Sequence, residues 1–246
     1  MGRQLLIWLA FVTLGVSPAL GSFQLTFRSN YGGTATVVDN GLRDEDPTVG
    51  SIVVGGVGGT PLVLNGYTFR AYSAYAGRVA GTDYISMNTM VTGWGAGSVS
   101  ILASMNGILN SQPSGLFSSN ATISFVTPLK VCNTATVQYG AYVDTLNRLG
   151  SAPLGTSVST PASGYIDGNS STVAASAIAF SSDEIATAAS VFAMSLYMQA
   201  SGLLANVGNR ISFQGGLQFV PIPEPSAMVI WFFLGWWVLI WHRRSR

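Results

Sequence analysis

The chain has 246 residues, only 9% of them charged, with 29 glycines and a formal net charge of +1. Between Ser22 and Val220 seven basic residues stand against nine acidic ones, so this stretch is nearly neutral and lacks the basic patch that nucleic-acid binding requires. A single cysteine, Cys132, rules out an internal disulfide or a thiolate metal cluster, and the single histidine, His242, lies in the terminal basic tip, which leaves the middle of the chain without an imidazole for nucleophilic catalysis or metal ligation.

The chain opens "MGRQLLIWLAFVTLGVSPALGS". Arg3 precedes a nearly unbroken apolar run from Leu5 to Val16, about the length of a signal-peptide core. Ala19 and Gly21 place small residues at −3 and −1. This pattern predicts a signal peptide helix over 1–21, cut before Ser22, and hence export. Leu6 stands where N-myristoylation would need Ser or Thr.

From Ser22 onward short alternating segments are broken by Gly, Asn, Asp, Ser and Pro. "FQLTFRS" sets Phe23, Leu25 and Phe27 against polar neighbours. "GTATVVDNG" places a β-branched run before Asn40-Gly41, a turn signal. "GSIVVGG", "TPLVLNG", "GYTFRAYSAYAG", "GSVSILASMNG", "NATISFVTP", "TATVQYGAYVD", "STVAASAIAFS", "SVFAMSLYMQA" and "NRISFQGGLQFV" continue in the same style. Ten or eleven strands with regular turns predict an all-β fold, an antiparallel β-sandwich over 22–220. Ser181 and Glu184 have capping-box spacing and mark one helical turn between strands. With one lysine in the chain, the sheet edges lack the charges that usually block edge pairing, which suits a matrix component.

Asp39, Asn40, Asp44, Glu45 and Asp46 fall within eight residues. Asp39, Asp44 and Asp46 are the candidate calcium ligands, since hard cations take several close-spaced oxygens. The register of an EF-hand loop is missing, and the alternative is a turn whose Asp side chains bond nearby backbone. Tyr67, Phe69, Tyr72, Tyr75, Tyr84 and Trp94 form either a sugar-stacking platform or part of the core. Asp144, Asp167, Asp183 and Glu184 are the carboxylates that an acid-base pair would have to use, but no spacing brings two of them together. No catalytic residue and no cofactor are therefore assigned.

The chain closes "VPIPEPSAMVIWFFLGWWVLIWHRRSR". Its prolines keep Pro223-Glu224-Pro225 extended and outside the adjoining apolar segment. Ala227 to Trp241 carries no charge, and its fifteen residues would form about 22 Å of helix. That is short for a bilayer core of about 30 Å. Trp231, Trp236, Trp237 and Trp241 suit the headgroup boundary, and Arg243, Arg244 and Arg246 form a basic stop that stays in the cytoplasm.

A Pro-Glu-Pro motif, a transmembrane helix (227–241) and a basic tail (242–246), in that order, resemble the PEP-CTERM sorting signal of bacterial exported proteins. The same module is also labelled an ice-binding-protein C-terminal domain. The resemblance covers 221–246 and implies an exosortase substrate, cleaved near Glu224. "VVDNGLRDEDPTVGSIVVGGVGG", with Asp39-Asn40-Gly41, Asp44, Pro47 and Gly50, is similar to the opening of many ectodomains of that group. That second match implies a shared sandwich, while the tail's resemblance implies export by a Gram-negative bacterium, anchorage in the inner membrane during sorting, and delivery to the cell envelope or extracellular (biofilm) matrix. The expected partners are signal peptidase, exosortase, the membrane and exopolysaccharide. The alternative is a secreted carbohydrate-binding module held by a simple C-terminal anchor.

Overall fold

A computed structural model of the chain describes residues 21–30, 32–93, 97–109, 114–125, 135–150, 152–158, 162–166, 173–175, 183–186, 191–203 and 209–222. Of the expected signal peptide only Gly21 falls among them, and of the sorting tail only Pro221 and Ile222. Ala19, Pro223, Glu224, Pro225, Arg243, Arg244 and Arg246 lie outside the described residues, as do Trp94, Cys132 and Asp167.

The described residues form fifteen strands. They are β1 (Phe23–Ser29), β2 (Thr34–Val38), β3 (Ser51–Val54), β4 (Leu62–Leu64), β5 (Tyr67–Val79), β6 (Thr82–Gly93), β7 (Gly97–Leu109) and β8 (Ser114–Phe125), followed by β9 (Ala135–Asp144), β10 (Thr156–Ser157), β11 (Ala162–Ile166), β12 (Val173–Ala175), β13 (Asp183–Ala186), β14 (Val191–Leu203) and β15 (Asn209–Pro221). They pair antiparallel into two sheets. The first runs β10-β9-β14-β7-β1-β2, with β11 also on β9. The second runs β12-β8-β15-β6-β5-β3, with β13 also on β8 and β4 also on β5.

Two-residue alternation produces this arrangement, because successive side chains point to opposite faces. On β15, Ile211, Phe213, Leu217 and Phe219 are buried, while Gln214 and Gln218 are exposed. On β1, Phe23, Leu25 and Phe27 turn inward as expected. Aromatic pairs close the space between the sheets. Phe27 of the first sheet lies 5.5 Å from Phe69 of the second. Phe192 of the first meets Phe117 and Phe219 of the second at 5.9 and 4.9 Å, edge-on. Gly215 lets the layers approach: a Cβ there would come within 2.9 Å of Met198 and 3.2 Å of Leu196.

Turn chemistry matches the sequence unevenly. Asn65-Gly66 and Ala80-Gly81 all take positive φ and close the β4–β5 and β5–β6 hairpins. Asn40-Gly41 does turn the chain, with the Gly41 amide bonded to the Val38 carbonyl, but it makes no hairpin. β2 pairs in the first sheet and β3 in the second, so this turn passes the chain between layers. The helical turn expected at Ser181–Glu184 is corrected. Asp183 to Ala186 is strand β13, paired with Ser114 to Phe117, because the open edge of β8 offers hydrogen bonds that outweigh the local cap signal.

Asp83 and Arg78 face each other at the tip of the β5–β6 hairpin in a two-pronged pair, at 2.9 and 2.6 Å. Arg78 also donates to the Leu109 carbonyl at the end of β7, tying the sheets together. Burial pushes the Asp83 carboxyl up, against the pull of Arg78.

The Phe117–Phe192–Phe219 cluster supports both layers. Phe219→Ala is expected to cost about 3–5 kcal/mol of unfolding free energy, while Gln218→Ala, on the outer face of the same strand, stays within about 0.5 kcal/mol. Urea unfolding followed by tryptophan fluorescence checks this, and equal midpoints for the two variants would contradict it.

Candidate functional site

The acid-rich segment binds its own backbone. Asp44 accepts from the amides of Asn40 (2.8 Å), Asp46 (3.0 Å) and Val53 (3.1 Å). Asp39 takes the Gly50 amide at 2.8 Å, and Asp46 takes the Thr48 amide and the Ser51 hydroxyl. The Ser51 and Thr48 bonds hold the Asp46 carboxyl below its usual range. Glu45 receives the amides of Gly56 and Thr60, each at 2.8 Å. A Cβ on Gly59 would collide with that carboxylate, so the glycine cluster serves as a cradle that Glu45 fills. The oxygens of Asp39, Asp44 and Asp46 thus accept from amides and a hydroxyl within the turn. Among the described residues no group of three or more acidic, His or Cys side chains converges as a metal site. Beside this clasp lies a hollow of 460 Å³, where Val54, Pro61 and Leu62 meet Arg43 and the two bonded carboxylates Asp44 and Glu45.

The candidate acid-base carboxylates are not brought together. Asp144, at the end of β9, is bonded by the amides of Leu146 and Arg148 and by the Arg148 guanidinium at 2.9 Å. The Arg148 side chain is the main cause that holds the Asp144 carboxyl below its usual range. Asp183 and Glu184 lie on β13, in the other sheet.

The aromatic set divides between the two expected roles. Tyr67 and Phe69 are wholly buried in the core. Tyr72 and Tyr75 stand 42% and 44% exposed on the outer face of the second sheet, and Tyr84 is half-buried there. For Tyr75 a β-bulge between Ala71 and Ser73 sets the side. Before it, residues 67, 69 and 71 point inward; after it, 74 and 76 do. Without the bulge Tyr75 would share the inward phase of Tyr67.

Next to these tyrosines the outer face sinks into an open groove of 610 Å³ across β6, β15 and β8. Gly216 is its floor, flanked by Ser86 on β6 and Asn120 on β8 in one cross-strand row. A Cβ at Gly216 would press on the Asn120 amide oxygen at 3.3 Å and come within 3.6 Å of the Ile85 carbonyl, so a side chain there would have to displace the exposed Asn120 amide. Gln214 and Gln218 flank the floor along β15. Continuing the Gly216 row reaches Tyr75, and Tyr84 lies opposite Gln218 with its ring across Gly77. Every described residue that lines the groove is uncharged. Sequence reasoning missed Ser86, Asn120, Gln214, Gly216 and Gln218. The usable signal was "QGGLQ", where the outward phase of a core strand reads Gln-Gly-Gln.

No protein-family model and no curated protein matches the chain. Several solved structures resemble it distantly, two of them as follows. One is a structure of infectious bursal disease virus, Gx strain, with TM-score 0.32 and 13% identity over 81% of this chain; the chain spans 50% of that structure's length. The other is the carbohydrate-binding module TmCBM61 in complex with β-1,4-galactotriose, with TM-score 0.27 and 7% identity over 63% of this chain and 88% of that one. Likeness this low assigns neither ligand nor activity.

The bonded carboxylates set two expected outcomes. Asp44→Ala leaves three amides without their acceptor and is expected to lose about 1–3 kcal/mol, whereas calcium or a chelator leaves the wild-type melting temperature in place; a rise in melting temperature with calcium would overturn the clasp. Because Asp144 is held below its unfolded value, its contribution is complete above about pH 4 and is lost as pH falls through the lower folded value. Asp144→Asn should therefore narrow its stability deficit against wild type in acid titration, and a deficit that widens on acidification contradicts this.

Proposed function

We propose that the chain is a non-enzymatic exported protein of the cell envelope or extracellular matrix, delivered by a disposable C-terminal sorting tail. One observation carries the proposal. The paired strands begin at Phe23 and end at Pro221, whose partner is Gly115. Both cuts read from the sequence, before Ser22 and near Glu224, fall outside that span. Removing either end takes none of the described strands from either sheet, which supports a tail that acts as an address.

The non-enzymatic part rests on chemistry already committed elsewhere. Asp39, Asp44, Glu45, Asp46, Asp83 and Asp144 each accept hydrogen bonds from backbone amides, a hydroxyl or an arginine. A general acid or base needs its proton-carrying oxygen free to reach a substrate. In this account the exosortase, the membrane-bound processing enzyme, acts on Pro223-Glu224-Pro225, and the chain is its substrate. Arg243, Arg244 and Arg246 hold the tail in position on the cytoplasmic side until the cut.

Cell fractionation with intact-mass measurement tests this. The mature protein is expected outside the cytoplasm, beginning at Ser22 and lacking everything after the Pro-Glu-Pro region. The Arg243→Ala/Arg244→Ala double variant should fold normally and accumulate unprocessed. A mature form still ending in Arg246 would reduce the tail to a simple anchor. An uncut chain in the cytosol would overturn the proposal altogether.

A further inference from the structure

The geometry points to the groove over Gly216 as a binding site for a single uncharged polysaccharide chain. The inference deepens the exported reading, on which it rests for where such chains are met.

Three observations select that ligand class. The first is chemical. The groove offers amides and hydroxyls, from Asn120, Gln214, Gln218 and Ser86, each able to donate and accept, and none of the described lining residues carries a charge. Such a set matches the repeated hydroxyls of a neutral sugar chain. A phosphate or carboxylate ligand would leave its charge unpaired, because the arginines on this face are engaged at the other end of the sheet. Arg70 donates to the Gly55 carbonyl at 2.6 Å, and Arg210 lies against Met90. Arg210 is six residues from Gly216, or about 20 Å along the strand.

The second is the aromatic shoulder. Tyr84 is half-buried on this face and reaches over Gly77, where a Cβ would meet its hydroxyl, Cε1 and Cζ at 3.5 to 3.7 Å. Tyr75 extends the same flank, in the row of Ser86 and Gly216. A sugar ring presents apolar C–H faces that stack on such rings while its hydroxyls turn to the amides.

The third is shape. The groove is open and crosses three neighbouring strands, β6, β15 and β8. That fits a position within a long polymer better than the closed end of a pocket for a small molecule. Gly216 provides depth at the midpoint, and it does so in ordinary strand conformation. A larger residue there fills the floor without backbone strain.

The test is affinity electrophoresis of the full-length chain in mild non-ionic detergent. The gels contain hydroxyethyl cellulose, linear galactan or dextran as uncharged probes, and alginate as the charged one. At least one uncharged probe is expected to retard the protein, and alginate is not. Gly216→Leu should raise the apparent dissociation constant about tenfold or more. Asn120→Ala and Gln218→Ala, which remove exposed side chains, should each weaken retention several-fold, and Gln138→Ala on the outer face of the first sheet should leave it unchanged. Melting curves accompany each variant. If Gly216→Leu fails to fold, the Asn120 and Gln218 variants decide. Absence of retardation by all three neutral probes, or retardation that none of these groove substitutions weakens, overturns the site. Retention by alginate equal to that by the neutral probes does so too. The outcome is independent of fractionation: a cytosolic protein with a working groove would defeat the proposed function alone, and an exported protein without retention would defeat this site alone.

Discussion

The strict alternation along β15 is the constraint on which the rest of the structure depends. This strand sits inside the second sheet, between β8 and β6. Its inward phase sends Ile211, Phe213, Leu217 and Phe219 into the shared core, and its outward phase sends Gln214, Gly216 and Gln218 to the open face. A slip of one residue would exchange the two sets, exposing four large apolar side chains and burying two amides. Core and candidate site are thus two sides of one register. The double glycine serves both sides. Gly215 lets Leu196 and Met198 press against the strand from the other layer, and Gly216 hollows the outer surface.

Around this frame, charge is scarce and mostly used for fastening. Arg78 and Asp83 close a hairpin and reach the opposite sheet through the Leu109 carbonyl. Asp144 gathers the turn after β9. Asp39, Asp44, Glu45 and Asp46 fold the long crossing from β2 to β3 and the glycine loop after it. Carboxylates that accept several amide donors can organise such loops as a disulfide or a metal would. The working surface is correspondingly neutral. Charge that would repel or trap an anionic partner has been kept in the fastenings.

The sheet content was legible wherever one strand face is apolar, as in Phe23-Leu25-Phe27 and in "RISFQGGLQFV". The turn at Asn40-Gly41 was legible as well, though not that it passes the chain from one sheet to the other. Three things were not. β13 owes its conformation to pairing with β8, which no local signal in 181–186 reveals. The outward side of Tyr75 depends on a bulge at Tyr72, and a bulge shifts phase without a distinctive residue to announce it. The groove draws Ser86, Asn120 and Gly216 from three strands far apart in the chain, so only the pairing register makes them neighbours. The acid-rich segment lay between. Its residues advertised oxygen-rich bonding, but whether the partner was a cation or the chain's own amides depended on the path of the 50–60 loop.

The register of β15 can be measured directly by placing single cysteines along it in a Cys132→Ser background and timing their reaction with a water-soluble maleimide. The account predicts a two-residue rhythm: Ser212→Cys, Gln214→Cys and Gln218→Cys react at the rate of exposed thiols, while Ile211→Cys, Phe213→Cys and Leu217→Cys are protected until urea unfolds the protein. Uniform reactivity along the strand, or the opposite phase, would contradict both the core and the groove it carries.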